Sequence, residues 1–307
     1  MKKLFAKLKS TLSPDSVKIH EIYELLQERY RDRTDPWGLD LNIHKLYAQI
    51  LYPFYKHYFR VRIHGQENIE NRPYMMVSNH SGQVAIDGAL IMMSMLFENH
   101  PPRIVRGMVE RFLPAMPFLG EFVAHGGSIL GDRKNCLYLL QQGETLLVFP
   151  EGVKGIAKNT SQFYKLQHFT TGFFRMALHT KTDILPIAVV GAEEFYPYVV
   201  HFKKLADWLS LPALPITPTF PWFGLLGLIP MPSPVDIYIG KPYKIPEDLS
   251  PEAPDKEINE HVYKIEQSIQ DMINLGLKQK RNYLGIVSKY QEKNETNHKQ
   301  DKSSKES

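Results

Sequence analysis

The sequence predicts an α/β fold: a central mixed sheet flanked by helices and preceded by an N-terminal helical segment. Three observations carry this. Up to residue 58 apolar residues recur at steps of three and four, and in FRVRIH, residues 59–64, they switch to strict alternation. Beyond that point, short apolar runs of strand length alternate with longer runs of helical length, the pattern of a sheet with helices packed on it. No stretch is continuously apolar for the ~18 residues that a membrane-spanning helix needs.

The elements follow in order. MKKLFAKLK, residues 1–9, sets Lys2, Lys3, Lys7 and Lys9 around Leu4, Phe5 and Leu8, a basic amphipathic piece suited to an anionic membrane surface. Asp15 to Arg33 reads as a helix with Ile19, Ile22, Tyr23 and Leu26 on one face. After DPWGLD, a second stripe comprises Ile43, Leu46, Tyr47, Ile50, Leu51, Phe54, Tyr55 and Tyr58, expected to face the core, with a kink at Pro53. Its aromatic density also suits a membrane interface.

Strands are expected at 59–64, 73–78 (PYMMVS), 103–108 (RIVRGM), 125–133 (HGGSILGDR), 145–152 (TLLVFPEG), 183–192 (DILPIAVVGA) and 235–245 (VDIYIGKPYKI). Between them, GALIMMSMLF (88–97) has the length of a buried helix, its methionines filling core gaps. NCLYLLQQG (135–143) is a helix ended by Gly143, and FFRMALHT (173–180) is another. From Trp208 to Val235 seven prolines forbid a continuous helix, leaving an apolar loop that something must cover. A final helix from Pro251 to about Leu275 buries Ile258, Val262, Ile265, Ile269 and Met272. Residues 1–58 are thus read as a helical, membrane-associating segment, 59–277 as the main domain and 278–307 as a polar, disordered tail.

Composition narrows the function. A net charge of +4 is too small to argue for nucleic acid. The lone Cys136 forbids an intrachain disulfide and suits a reducing compartment. No GxxxxGK[ST] or HExxH occurs, and GGSILG has leucine where a nucleophile elbow needs its second glycine.

The chemistry-bearing residues sit where strands end. His80 follows one strand and Asp87 opens a helix: a neutral imidazole there can take a proton from an alcohol while the carboxylate stabilises the imidazolium. The plain alternative is that Asp87 merely caps the helix. Glu151, Gly152, Lys154 and Gly155 follow a second strand, and Arg133 a third, with charges suited to a hydroxyl and a phosphate.

In this order these blocks resemble the glycerolipid acyltransferases, the lysophosphatidate and glycerol-phosphate acyltransferase superfamily. The blocks are Asn79-His80 with Asp87, GGSILGDR with Arg133, Phe149-Pro150-Glu151-Gly152, ILPIAVVG with Pro186, and Phe169 to Gly172. The spacer SGQVAI is longer than the family's commonest one, and Val153-Lys154-Gly155 stands where Thr-Arg-Ser is usual.

The resemblance implies a glycerol-phosphate acyltransferase-like fold and transfer of a fatty acyl group from acyl-CoA or acyl carrier protein to a lysophospholipid or glycerol-phosphate hydroxyl. It implies His80 as base, Asp87 as its partner, and Arg133, Glu151, Gly152 and Lys154 as substrate-binding residues. It requires no cofactor or metal, and its partners are membrane phospholipids rather than nucleic acid. The expected place is the cytoplasmic face of a membrane, attached peripherally. A neutral lipid alcohol as acceptor, or a non-catalytic lipid-binding protein on the same fold, are the alternatives.

Overall fold

The computed structural model describes residues 15–31, 35–80, 85–110, 119–156, 158–196, 200–201, 215–216, 222–224, 227, 229–279, 282–283 and 286–287. The basic segment 1–14, most of the proline-rich stretch and the tail beyond 287 lie outside the described residues.

Seven strands form one mixed sheet: β1 (Arg62–His64), β2 (Met75–Ser78), β3 (Val105–Val109), β4 (Ile129–Leu130), β5 (Thr145–Val148), β6 (Ile184–Val190) and β7 (Asp236–Ile239). Their order is β1-β7-β6-β2-β5-β3-β4. Strands β6, β2, β5, β3 and β4 are mutually parallel, and β7 runs antiparallel to β6 while pairing parallel with β1. Strands β2, β5, β6 and β7 are buried along their whole length, and β2, β5 and β6 accordingly read as apolar runs rather than alternations. The parallel set carries its C-terminal ends to a single edge, the usual address of a ligand site in such sheets.

Helix α1 (Asp15–Tyr30) buries Ile19, Ile22, Tyr23 and Leu26, the four residues its periodicity predicts. Helix α2 (Leu41–Pro53) is capped by Asp40, whose side chain accepts the N–H groups of Asn42 and Ile43. Pro53 has no N–H to give to the preceding turn, and the chain passes directly into a π turn, Phe54–Tyr58, closed by Phe59 N–H donating to Phe54 O at 2.8 Å.

The buried face of α2 and the π turn departs from the expected stripe in part. Tyr55 is buried as expected and Leu51 and Tyr58 pack against the core, but Ala48 and Tyr52 also point inward, while Leu46, Ile50 and Phe54 are 52%, 54% and 49% exposed. The reason is aromatic. Tyr52 and Tyr55 both pack on Phe97, with ring centroids 4.7 and 5.8 Å away, which turns the other ridge to solvent. The N-terminal helices therefore share the core of the sheet.

Two further expectations are corrected. The strand expected from residue 59 begins only at Arg62, because Arg60 has φ +44°, a left-handed turn that separates strand from π turn. The strand expected over 125–133 is only Ile129–Leu130; Asp132 caps a helix, α5 (Arg133–Gln141), that already contains Arg133.

The helices expected at 88–97, 173–180 and 251–275 are all present, and two short ones, Leu119–His125 and Val153–Ile156, stand where the sequence pattern announces none. Helix α3 (Ile86–Phe97) buries Met93 and Met95, α4 is Leu119–His125, the single turn α6 is Val153–Ile156, and α7 is Gly172–Thr180. Helix α8 (Asp255–Lys278) packs on β6 and β7 through Ile258, Val262, Ile265, Ile269 and Ile273, leaving Met272 only partly buried. Cys136 is buried, as a small apolar residue on α5.

Candidate active site

Strand β2 ends at Ser78, and Asn79 continues its ladder with a side chain. Asn79 Nδ2 donates to Val189 O at 3.0 Å, and its Oδ1 accepts from Val189 N–H at 2.8 Å, so a fully buried amide takes the place of a peptide pair. This fixes where the next residue leaves the sheet. That residue is His80, only 8% exposed.

His80 Nδ1–H donates to Asp87 Oδ2 at 2.7 Å. Asp87 lies in the first turn of α3, is fully buried, and accepts Gly88 N–H through Oδ1 at 2.8 Å. The six-residue spacer thus leaves histidine and carboxylate in direct contact. With Nδ1 committed as donor, the imidazole presents Nε2 as its basic atom.

The imidazole stacks on Phe149, ring centroids 4.2 Å apart at 21°. A Cβ at Gly88 would lie 3.3 Å from that ring, so glycine there lets α3 close over Phe149. Gly155 is tighter still. A Cβ on it would meet His80 Cβ at 2.7 Å and Glu151 Cβ at 3.0 Å, an approach no side chain allows. This is a structural reason for Gly155 where the family's usual pattern has serine.

Beneath the histidine lies an ionic group. Glu151, 3% exposed, accepts His80 N–H through Oε1 at 2.9 Å and Gln167 N–H through Oε2 at 2.7 Å. Lys158, 2% exposed, pairs with Glu151 Oε2 at 2.8 Å and donates to His80 O at 3.2 Å. Glu193 follows β6, is fully buried, and accepts Tyr164 N–H at 3.0 Å. Burial pushes its carboxyl up to about 7, the charges of Glu151 and Glu194 push the same way, and Lys158 and the Tyr164 N–H pull against them.

The other expected residues spread along the same edge. Gly152 has φ +56° and closes the turn after β5 with its N–H on Phe149 O at 2.9 Å. Lys154, on α6, is exposed. Arg133 is exposed at the start of α5, after the edge strand β4. It stands three strand spacings from β2, roughly 14 Å across the sheet. The structure therefore brings His80, Asp87, Glu151 and Gly152 together and holds Arg133 apart from them. Lys158 and Glu193 escape a sequence reading: one lies in the polar run IAKNTSQ, the other in GAEEF, and neither stretch has a period that marks a buried charge.

Comparison with known proteins follows this geometry. The family described as Acyltransferase matches residues 60–190, the span that carries His80, Asp87, Arg133, Glu151, Gly152, Lys154 and Lys158. A protein of Mycobacterium tuberculosis that carries no described activity is 33% identical over 253 residues, covering 81% of this chain and 71% of its own length. The 1-acyl-sn-glycerol-3-phosphate acyltransferase of Saccharomyces cerevisiae is 31% identical over 140 residues, 42% of each chain. Among solved structures, the 1-acyl-sn-glycerophosphate acyltransferase PlsC of Thermotoga maritima shares the fold, with a TM-score of 0.51 over 86% of this chain and 95% of that one at 15% identity.

Proposed function

The chain belongs to the glycerolipid acyltransferase family, and from this we propose that it moves a fatty acyl group from a thioester donor to the hydroxyl of a lysophospholipid or glycerol-phosphate-type acceptor. The observation that carries the reading is the buried contact of His80 with Asp87 at 2.7 Å. Nε2 takes the proton of the acceptor hydroxyl as its oxygen attacks the thioester carbonyl. Asp87 stabilises the imidazolium so formed. The tetrahedral intermediate then expels the thiolate, which receives the proton from His80. Acyl-CoA or acyl carrier protein serves as donor. Arg133 and Lys154, exposed cations on the same edge, suit the acceptor's phosphate.

The protein works at the cytoplasmic face of a membrane, attached peripherally. Among the described residues no helix is long and apolar enough to cross a bilayer. The exposed ridge Leu46, Ile50 and Phe54 supports attachment, and Trp222 and Phe223, 79% and 66% exposed, extend the apolar surface available. Tyr58 Oη donates to Pro230 O at 2.7 Å, tying that ridge to the proline-rich segment.

The test is transfer from labelled palmitoyl-CoA or acyl carrier protein to lysophosphatidate, other lysophospholipids, glycerol phosphate and monoacylglycerol, with His80→Ala alongside. Transfer to a phosphate-bearing acceptor that vanishes in the variant is expected. Equal use of monoacylglycerol, with Arg133→Ala unaffected, replaces the headgroup with a neutral alcohol. Lipid binding without transfer to any acceptor overturns the enzyme.

A further inference from the structure

A buried lysine is a demanding residue to keep, because removing its charge from water is unfavourable unless partners compensate. As a contribution to stability alone, a buried ion pair is often matched by apolar residues of similar volume. Lys158 is such a residue, 2% exposed, and the proton transfer described above makes no use of it.

Its partners say what it does. The two peptide groups that flank the Cα of His80 are both gripped from one side. Glu151 Oε1 takes the N–H at 2.9 Å, and Lys158 Nζ takes the carbonyl at 3.2 Å. The gripping groups are locked to each other at 2.8 Å. Glu151 is held in turn by the Gln167 N–H at 2.7 Å. Gly155 fills the remaining space directly against His80 Cβ.

The β-ladder that fixes the backbone of β2 ends at Ser78, two residues before His80. We propose that Lys158 and Glu151 are positioning residues that together fix the backbone of His80, and with it the direction in which Nε2 points. This rests on His80 being the base of the proposed transfer. It gives Glu151 a different task from the acceptor contact the family resemblance implies: both of its oxygens are engaged inside the protein. Acceptor recognition is left to groups at the exposed edge, Arg133 and Lys154 among them.

The experiment compares Lys158→Met, Lys158→Arg and Glu151→Gln with wild type and His80→Ala. Each is read for palmitoyl-CoA and lysophosphatidate transfer, for thermal unfolding, and for the downfield proton resonance of a histidine–carboxylate hydrogen bond, assigned by its loss in His80→Ala. A small displacement of a catalytic group lowers the rate by roughly 10²-fold. The expected result is a loss of that order in kcat for Lys158→Met, with KM within about threefold of wild type. The resonance should shift or broaden, and Lys158→Arg should restore part of both. If Lys158→Met unfolds, Glu151→Gln and Lys158→Arg carry the same readouts. Folded variants with wild-type kcat and an unmoved resonance overturn the proposal, as does a Glu151→Gln change confined to the KM for lysophosphatidate. Should wild type transfer nothing while the resonance still moves in Lys158→Met, the strut stands and the acyltransfer reading falls.

Discussion

Among the described residues two histidine–aspartate contacts have nearly the same shape. His80 meets Asp87 at 2.7 Å and stacks on Phe149 with centroids 4.2 Å apart. His64 meets Asp236 at 2.9 Å and stacks on Tyr238 at 4.4 Å. Both aspartates are buried. The difference lies in what else each carboxylate holds. Asp236 receives the guanidinium fork of Arg62, at 2.8 and 2.7 Å, so its charge is already answered by a cation. The other oxygen of Asp87 takes a neutral peptide N–H, from Gly88. A carboxylate in that condition can still stabilise a new positive charge on the imidazole. Position differs as well: His64 ends the short edge strand β1, whereas His80 stands past a strand end, clamped by Glu151 and Lys158. A histidine–aspartate pair is therefore no site by itself; its place at the parallel strand ends and a held backbone make it one.

The largest expected effect tests that distinction. Asp87→Asn keeps the shape and removes the charge, and should lower kcat for transfer by roughly 10²–10⁴-fold, the range of general-base catalysis. His80→Ala should fall at least as far. Steady-state kinetics at saturating acceptor separates these losses from weaker binding. Wild-type kcat in Asp87→Asn would mean that the two pairs do not differ in the way argued.

Much of this comparison was legible beforehand, and the illegible part has physical causes. The buried parallel strands announced themselves as apolar runs, and α1 as a clean period, because a wholly buried face admits few alternatives. His80, Asp87 and the FPEG block stood out because polar residues interrupt apolar ones there. The orientation of α2 did not. It carries apolar residues on two faces, and the rings of Tyr52 and Tyr55 decide between them only once Phe97 is in place. Arg133 looked like the end of a strand, but Asp132 caps a helix at that point. Lys158 lies 78 residues from His80, and nothing local marks it.

The next effect concerns the surplus of carboxylates behind His80. Asp87, Glu151 and Glu193 are buried on that side with the ammonium of Lys158, while Asp236 is matched by Arg62. Burial holds the Glu193 carboxyl near 7, against 4.5 for an exposed one. Between those values the folded protein keeps a proton that the unfolded chain has released, so stability falls as pH rises. A gap of roughly 2.5 units at 1.36 kcal/mol each is about 3 kcal/mol, lost between pH 4.5 and 7 with little further change from this group above 7. Glu193→Gln, which keeps an acceptor for Tyr164 N–H, should flatten this decline and be the more stable protein at pH 8. Denaturant midpoints at pH 4.5, 6 and 8 measure it. Parallel curves for the two proteins would mean that Glu193 is not held protonated by burial.

A smaller loss is expected at the second pair. Asp236→Ala leaves Arg62 and His64 without their shared acceptor. Because the Arg62 side chain is 52% exposed and water can replace the lost contact, the cost should be about 1–2 kcal/mol. It should appear as a lower melting temperature, with kcat for transfer unchanged. A drop in kcat without a drop in melting temperature would tie this edge of the sheet to catalysis.

The smallest effect is the sharpest control. His64→Ala removes a histidine that has an aspartate partner and an aromatic stack, the two features by which His80 is picked out by eye. Asp236 keeps its fork to Arg62 in this variant, so no buried carboxylate is left unanswered. Stability should move by less than about 1 kcal/mol, the range for a partly exposed contact. Transfer should stay within about twofold of wild type, because the carboxylate beside His64 has no charge left to lend an imidazolium. If His64→Ala instead lowers kcat as Asp87→Asn does, the rule that a second cation disarms a histidine–aspartate pair is wrong, and the reacting groups must be sought at both ends of the sheet.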